Sequence, residues 1–424
     1  MRGLIAMCLA RISSGGRLGL LVALWACTIC PDAFAHGERN QEPFLRMRTA
    51  HFYDMKWSTS KTEVNGLVTI SGKFRLFSDW PNNLPKPEKV FLGNGTPGPV
   101  FARVESYIND EPAIQSGRVE IDRDYAFTTV LKGRFPGVHH VHPMLNVLQA
   151  GPLLGPGKWI EVTGNEADFR LPVTTIDGTQ IADVSTVGVN TVFKWHALWF
   201  VAALVYLLWF LRKPLLLPRY LAVEAGNDDK VVTSADRLFG AVFLVLTVVT
   251  VIVAARWTDE AYPRTIPLQA GEFKVDPLPA DPLTVGVRVK KATYDVPGRS
   301  MKIQAEITNH WKNPVQIGEF LTANLRFMNR ALPAAMATID PSFPEDIVPR
   351  TGLKIDNEKP IAPGETRLVN IEATDAAWEV ERLTSLMNDP DNRVGGLLFL
   401  FDAEGKRLIS SVSGPIIPVF QPGA

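Results

Sequence analysis

The chain has 424 residues, with 44 basic and 44 acidic side chains, so its formal net charge is zero. That length exceeds one ordinary core and calls for two domains or more, while a neutral balance without a long basic run argues against a nucleic-acid partner. Glycine and proline, at 32 each, favour a turn-rich β protein over a helical one.

Residues 1–35 read as a signal peptide. Arg2, Arg11 and Arg17 make a basic region without an acid, LGLLVALWACTIC is the apolar core, and Ala33-Phe34-Ala35 fits the small-x-small cleavage pattern. Cleavage there makes His36 the first residue, with a free α-amine. All three cysteines, Cys8, Cys27 and Cys30, fall inside this leader. The mature chain then has no disulfide, no zinc–thiolate site and no thiolate nucleophile. Soft-metal chemistry is left to imidazole.

Residues 36–190 form the first domain in this reading. VTISGKFRLF, VFARVESYI, YAFTTVLKGRF and KWIEVTG alternate in part and are separated by Gly, Pro, Asn and Asp, as short strands of a Greek-key sandwich or barrel are. Of the seven histidines, His36, His51, His139, His140 and His142 lie here, and His196 and His310 lie elsewhere. In a strand, the HHVH run points His140 and His142 to one face, about 7 Å apart at Cα, and His139 to the other. Two such imidazoles can share one ion, and His36 can add its ring and its amine. An all-nitrogen set suits copper, nickel or zinc, and copper(II) binds most tightly of the three. Spacing alone fits equally well a pair of histidines that cap a strand end. His51 and His139 are candidates for an additional ligand or for contact with one.

Residues 191–258 read as a two-helix transmembrane hairpin. The apolar runs at about 195–211 and 238–255 carry no charge, and each approaches the roughly 17–20 residues that cross a bilayer. Trp195, Trp199 and Trp209 sit near the ends of the first run, and His196 is read as interfacial. The connecting loop holds Arg212, Lys213, Arg219, Lys230 and Arg237, which places it in the cytoplasm and the two flanking segments in the periplasm.

Residues 259–424 repeat the β style with LTVGVRVKKATYDV, SMKIQAEITNHW, NPVQIGEFLTANLRFM and RLVNIEA. A helix is expected after Asp375, where Ala376, Val380, Leu383 and Met387 share a face. No phosphate-binding loop or GxSxG occurs, and catalytic residues do not declare themselves.

The segments HGERNQEPFLRMRTAHFYDMKW, PGVHHVHPMLNV, GPGKWIEVTG, IPLQAGEFKV, YDVPGRSMKI, GEFLTANLRF, DAAWEVERL and GGLLFLFDAEG resemble, in order, the B subunit of the copper membrane monooxygenases. These are the particulate methane and ammonia monooxygenases. The resemblance implies a mainly β chain with two cupredoxin-like periplasmic domains joined by the transmembrane hairpin. It further implies assembly with A and C subunits as a trimer of heterotrimers in a bacterial inner or intracytoplasmic membrane. Copper would be held by His36, His140 and His142, and the complex would insert one oxygen atom of O₂ into methane or ammonia. Some relatives place a further metal between the counterpart of His51 and a histidine in the GKFxLF strand. Here that strand carries Arg75, a cation that opposes a metal. A competing reading is a membrane-anchored periplasmic copper-binding or assembly protein without a role in turnover.

Overall fold

The computed structural model describes residues 43–175, 178–213, 216–261, 272–279, 284–374 and 391–420. The leader, His36 and the helix expected at 376–387 lie outside the described residues. The first β region opens with a short helix, α1 (Pro43–Arg48), and then β1 (Ala50–Trp57), β2 (Lys61–Glu63), β3 (Leu67–Leu76) and β4 (Lys89–Gly95). It continues through β5 (Phe101–Ile108), β6 (Glu111–Pro112), β7 (Ser116–Arg118), β8 (Asp124–Gly133), β9 (Gly137–Val147), β10 (Gly151–Leu154) and β11 (Lys158–Thr163).

A second unit, Asn165–Gly271, contains a small ribbon of β12 (Val173–Thr174) and β13 (Gln180–Ile181). Its long helices are α2 (Val189–Leu211) and α5 (Ser234–Ala261), with short helices α3 (Leu217–Glu224) and α4 (Asp228–Val231) between them. At 1.5 Å per residue, α2 and α5 extend about 35 and 42 Å, enough for a hydrocarbon layer of about 30 Å. Both long helices are almost wholly exposed apolar surface. They run beyond the apolar stretches because helical hydrogen bonding continues through polar residues: Asn190, Thr191 and Lys194 in α2, and Arg256, Asp259 and Glu260 in α5.

The chain then returns to β structure. The strands are β14 (Glu272–Lys274), β15 (Val285–Asp295), β16 (Ser300–Asn309), β17 (Val315–Thr322), β18 (Leu325–Met328), β19 (Leu353–Ile355), β20 (Thr366–Thr374), β21 (Arg393–Asp402), β22 (Arg407–Pro415) and β23 (Ile417–Val419). β14 pairs parallel to β7, so it completes a sheet of the first region.

In the first region one sheet runs β1-β3-β8-β5-β6 and the other β14-β7-β4-β9-β11-β2, with β10 also on β9. Alternation along β8 is strict, with every second residue buried from Tyr125 to Gly133. The inward residues of both sheets, among them Phe52, Ile70, Phe74, Leu92, Val141 and Ile160, make one core. In the second region β19-β20-β16-β15-β23 faces β18-β17-β21-β22 around Ile303, Ile307, Phe320, Phe327 and Leu398. The chain is thus mainly β, with two long apolar helices.

The two β regions belong to one compact unit. A third cluster joins them, in which Tyr53 and Phe77 pack with Leu397, Phe399 and Phe401. Strand β21 is therefore buried on both faces, which is why GGLLFLF shows no alternation. Helix α1 lies on the same strand: a side chain at Gly395 would collide with the Met47 carbonyl.

Candidate metal centre

Strand β9 lies antiparallel between β4 and β11, with His142 opposite Gly95 and His140 opposite Trp159. Its pleat sends His140 and His142 to the same face, and their ring centroids are 4.5 Å apart at 81°. His139 points the other way. Its Nε2 lies 3.0 Å from the Phe135 carbonyl, and its ring meets Phe101 edge-on.

His142 is buried, with 1% of its surface exposed. Its Nδ1 is 2.8 Å from the Gly155 carbonyl. A carbonyl only accepts, so Nδ1 carries the proton and Nε2 carries the lone pair. That Nε2 lies 3.1 Å from His140 Nδ1. Without an ion, His140 Nδ1–H donates across this gap; a metal would displace that proton. His140 is half-buried and its ring stacks on Trp159 at 4.6 Å and 27°.

The donor chemistry fits a copper ion. Two ring nitrogens 3.1 Å apart match two bonds of about 2.0–2.1 Å to one centre, and both are borderline ligands suited to copper. Among the described residues no group of three or more His, Cys, Asp or Glu converges on one point. The third expected donor, His36, lies outside the described residues.

His51 does not join the pair. It sits on β1 opposite Arg75 of β3, is 2% exposed, and meets Phe77 edge-on at 4.9 Å. Desolvation lowers its pKa to about 3; a hydrogen bond to the Met47 backbone opposes the shift and the Arg75 charge adds to it. The ring is neutral at pH 7, and its Nε2 has no hydrogen-bond partner among the described residues. Arg75 turns to Asp124, donating from Nε at 2.7 Å and from a second guanidinium nitrogen, while Tyr53 donates to the same carboxylate. His196 bonds along α2 to the Val192 carbonyl.

Sequence reasoning missed the glycines around the pair. An added Cβ at Gly157 would overlap the His142 ring at three of its atoms. The GPLLGPGKW run, in which glycine recurs just ahead of a strand, was the available signal.

The family model for the B-subunit protein of monooxygenases matches residues 37–420. A chain described as the particulate methane monooxygenase alpha subunit of Methylococcus capsulatus is 44% identical over 412 residues, covering 97% of this chain and 98% of the relative. Among solved structures, the cupredoxin domain of amoB from Nitrosocaldus yellowstonii aligns with 31% of this chain and 98% of its own, at 14% identity and a TM-score of 0.25. The Yersinia pseudotuberculosis adhesin InvE aligns with 86% of this chain and 60% of its own, at 9% identity and a TM-score of 0.16. At those TM-scores neither structure bears on the argument. The match across nearly the whole sequence does, and the chain belongs to the B-subunit family of the monooxygenases.

Proposed function

We propose that this chain is the copper-holding B subunit of a membrane monooxygenase that oxidises methane or ammonia with O₂. The observation that carries the reading is the pair of convergent imidazoles, 3.1 Å apart, in a member of this family. His142 would bind through Nε2 and His140 through Nδ1, with His36 supplying its ring and, after cleavage at Ala35, its amine. Copper held there would supply one-electron redox chemistry. The chain's own contribution is to orient the two rings, hold the His142 proton on Nδ1 against Gly155, and keep water from the buried side of the pair. The His51 position is proposed to be metal-free, since Arg75 places a permanent cation opposite it.

Two β domains of cupredoxin-like type, residues 36–190 and 259–424, would stand in the periplasm on the hairpin at 191–258. The partners would be the A and C subunits, as a trimer of heterotrimers. The test is a complex carrying His140→Ala and His142→Ala together, assayed for copper in this chain, assembly, and turnover of each gas. Loss of copper with loss of turnover is expected. Loss of copper with full turnover would instead make the chain a copper-binding or assembly protein.

A further inference from the structure

The two imidazoles are oriented by a segment that contributes no ligand of its own. We infer that residues 155–159, Gly-Pro-Gly-Lys-Trp, are the positioning element of the metal pair and determine which nitrogen each histidine presents. This rests on the copper reading above and deepens it.

Three contacts make the case. The Gly155 carbonyl accepts from His142 Nδ1 at 2.8 Å, which directs Nε2 toward His140. Gly157 leaves the space that the His142 ring fills; any Cβ there would overlap the ring. Trp159 stacks on the other imidazole and sits opposite it in the β9–β11 ladder. One strand entry thus reaches both rings, from two sides.

The segment is itself held from the second β region. Asn324, in the turn between β17 and β18, donates to the Leu154 carbonyl at 3.0 Å, and Lys158 Nζ donates to the Ser342 carbonyl. The Gly155 N–H is fixed to the Pro143 carbonyl at 2.9 Å. Gly157 is buried, and its backbone lies outside the left-handed region. Alanine there needs no left-handed backbone, and the atoms its Cβ would meet first are those of the His142 ring.

The experiment uses the full processed chain in detergent with copper(II) as the probe, and three variants: Gly157→Ala, Trp159→Leu and Trp159→Phe. Gly157→Ala is expected to weaken copper binding about 10–100-fold, the range typical of groups that orient a metal ligand, and to change the nitrogen hyperfine pattern in the copper EPR spectrum. Trp159→Leu should weaken binding less and Trp159→Phe should restore it, because a phenyl ring still stacks. Trp159 emission, taken as the difference between wild type and Trp159→Phe, should be quenched by copper.

A second measurement needs no metal. Nitrogen NMR of ¹⁵N-histidine-labelled, metal-free chain should show His142 as the Nδ1–H tautomer, and Gly157→Ala should disturb that signal. Wild-type affinity and spectrum in both Gly157→Ala and Trp159→Leu would overturn the inference, as would the opposite tautomer in wild type. Copper binding that survives loss of both histidines would instead overturn the copper reading, with the tautomer result still deciding what orients the ring.

Discussion

A buried histidine without a second hydrogen-bond partner has a measurable cost in acid. His51 is lowered to about 3, first by desolvation, so it refuses the proton that the unfolded chain accepts near 6.5. Between those values the unfolded state binds more protons, and stability falls as pH falls, by about 1.4 kcal/mol per unit. Above pH 6.5 the effect vanishes. Denaturant unfolding at pH 7 and 5.5 should therefore show wild type losing about 1 kcal/mol more than His51→Phe, a replacement that keeps the ring contact with Phe77. Equal losses in the two proteins would mean that His51 titrates normally. At this scale the sequence was partly legible. His140 and His142 could be picked out because a strand's period of two is a local rule. Gly157 and Trp159 could not be tied to them, since that contact depends on the register between β9 and β11, and register is set by the whole sheet.

Among the elements, the helical pair was the most legible, because hydropathy over a long window is a local property. What it did not show is how α5 starts. Thr233 and Asp236 form a reciprocal cap: the Asp236 carboxylate accepts from the Thr233 N–H at 2.8 Å, and Thr233 Oγ1 accepts from the Asp236 N–H at 3.3 Å. The same carboxylate takes the Trp209 indole N–H at 3.0 Å and pairs with Lys213 at 2.9 Å, so the cap also joins α5 to the end of α2. Trp209 stacks on Phe239 at 4.2 Å beside it. Asp236→Ala removes every contact of the carboxylate at once and leaves the backbone N–H on Thr233. Loss of a cap costs about 1 kcal/mol, so amide exchange in the first turn of α5 should quicken about 5–10-fold. Asp236→Asn keeps the acceptor and should fall between. Unchanged exchange in the alanine variant would leave the cap without energetic weight. The strands were legible where one face is wet, as in β8, and hidden where both are covered, as in β21.

At the scale of the molecule, the two β regions are far apart in sequence yet share partly buried charges, and nothing in composition could reveal that. Asp54 sits at a bulge in β1 with φ of 53°, a conformation that aspartate tolerates better than most residues. The bulge turns its carboxylate to Arg407 of β22, which donates twice at 2.5 Å, and to Lys73 at 3.3 Å. Burial alone would raise the Asp54 pKa, but the bonds and charge of Arg407 and Lys73 outweigh it and hold the group ionised. Arg407 also covers Phe399, in the cluster that joins the regions. Breaking a fully buried pair costs about 3–5 kcal/mol; this one is 25% and 19% exposed, so Asp54→Ala or Arg407→Ala should each cost about 2–3 kcal/mol. The double variant should cost less than their sum, with a coupling of about 1–2 kcal/mol, within the range for residues in direct contact. Because the contact spans both regions, wild type should unfold them in one transition, followed through Trp57 in the first and Trp311 in the second. Arg407→Ala should lower that midpoint and separate the two signals. Additive costs, or two transitions already present in wild type, would show that the regions are merely adjacent.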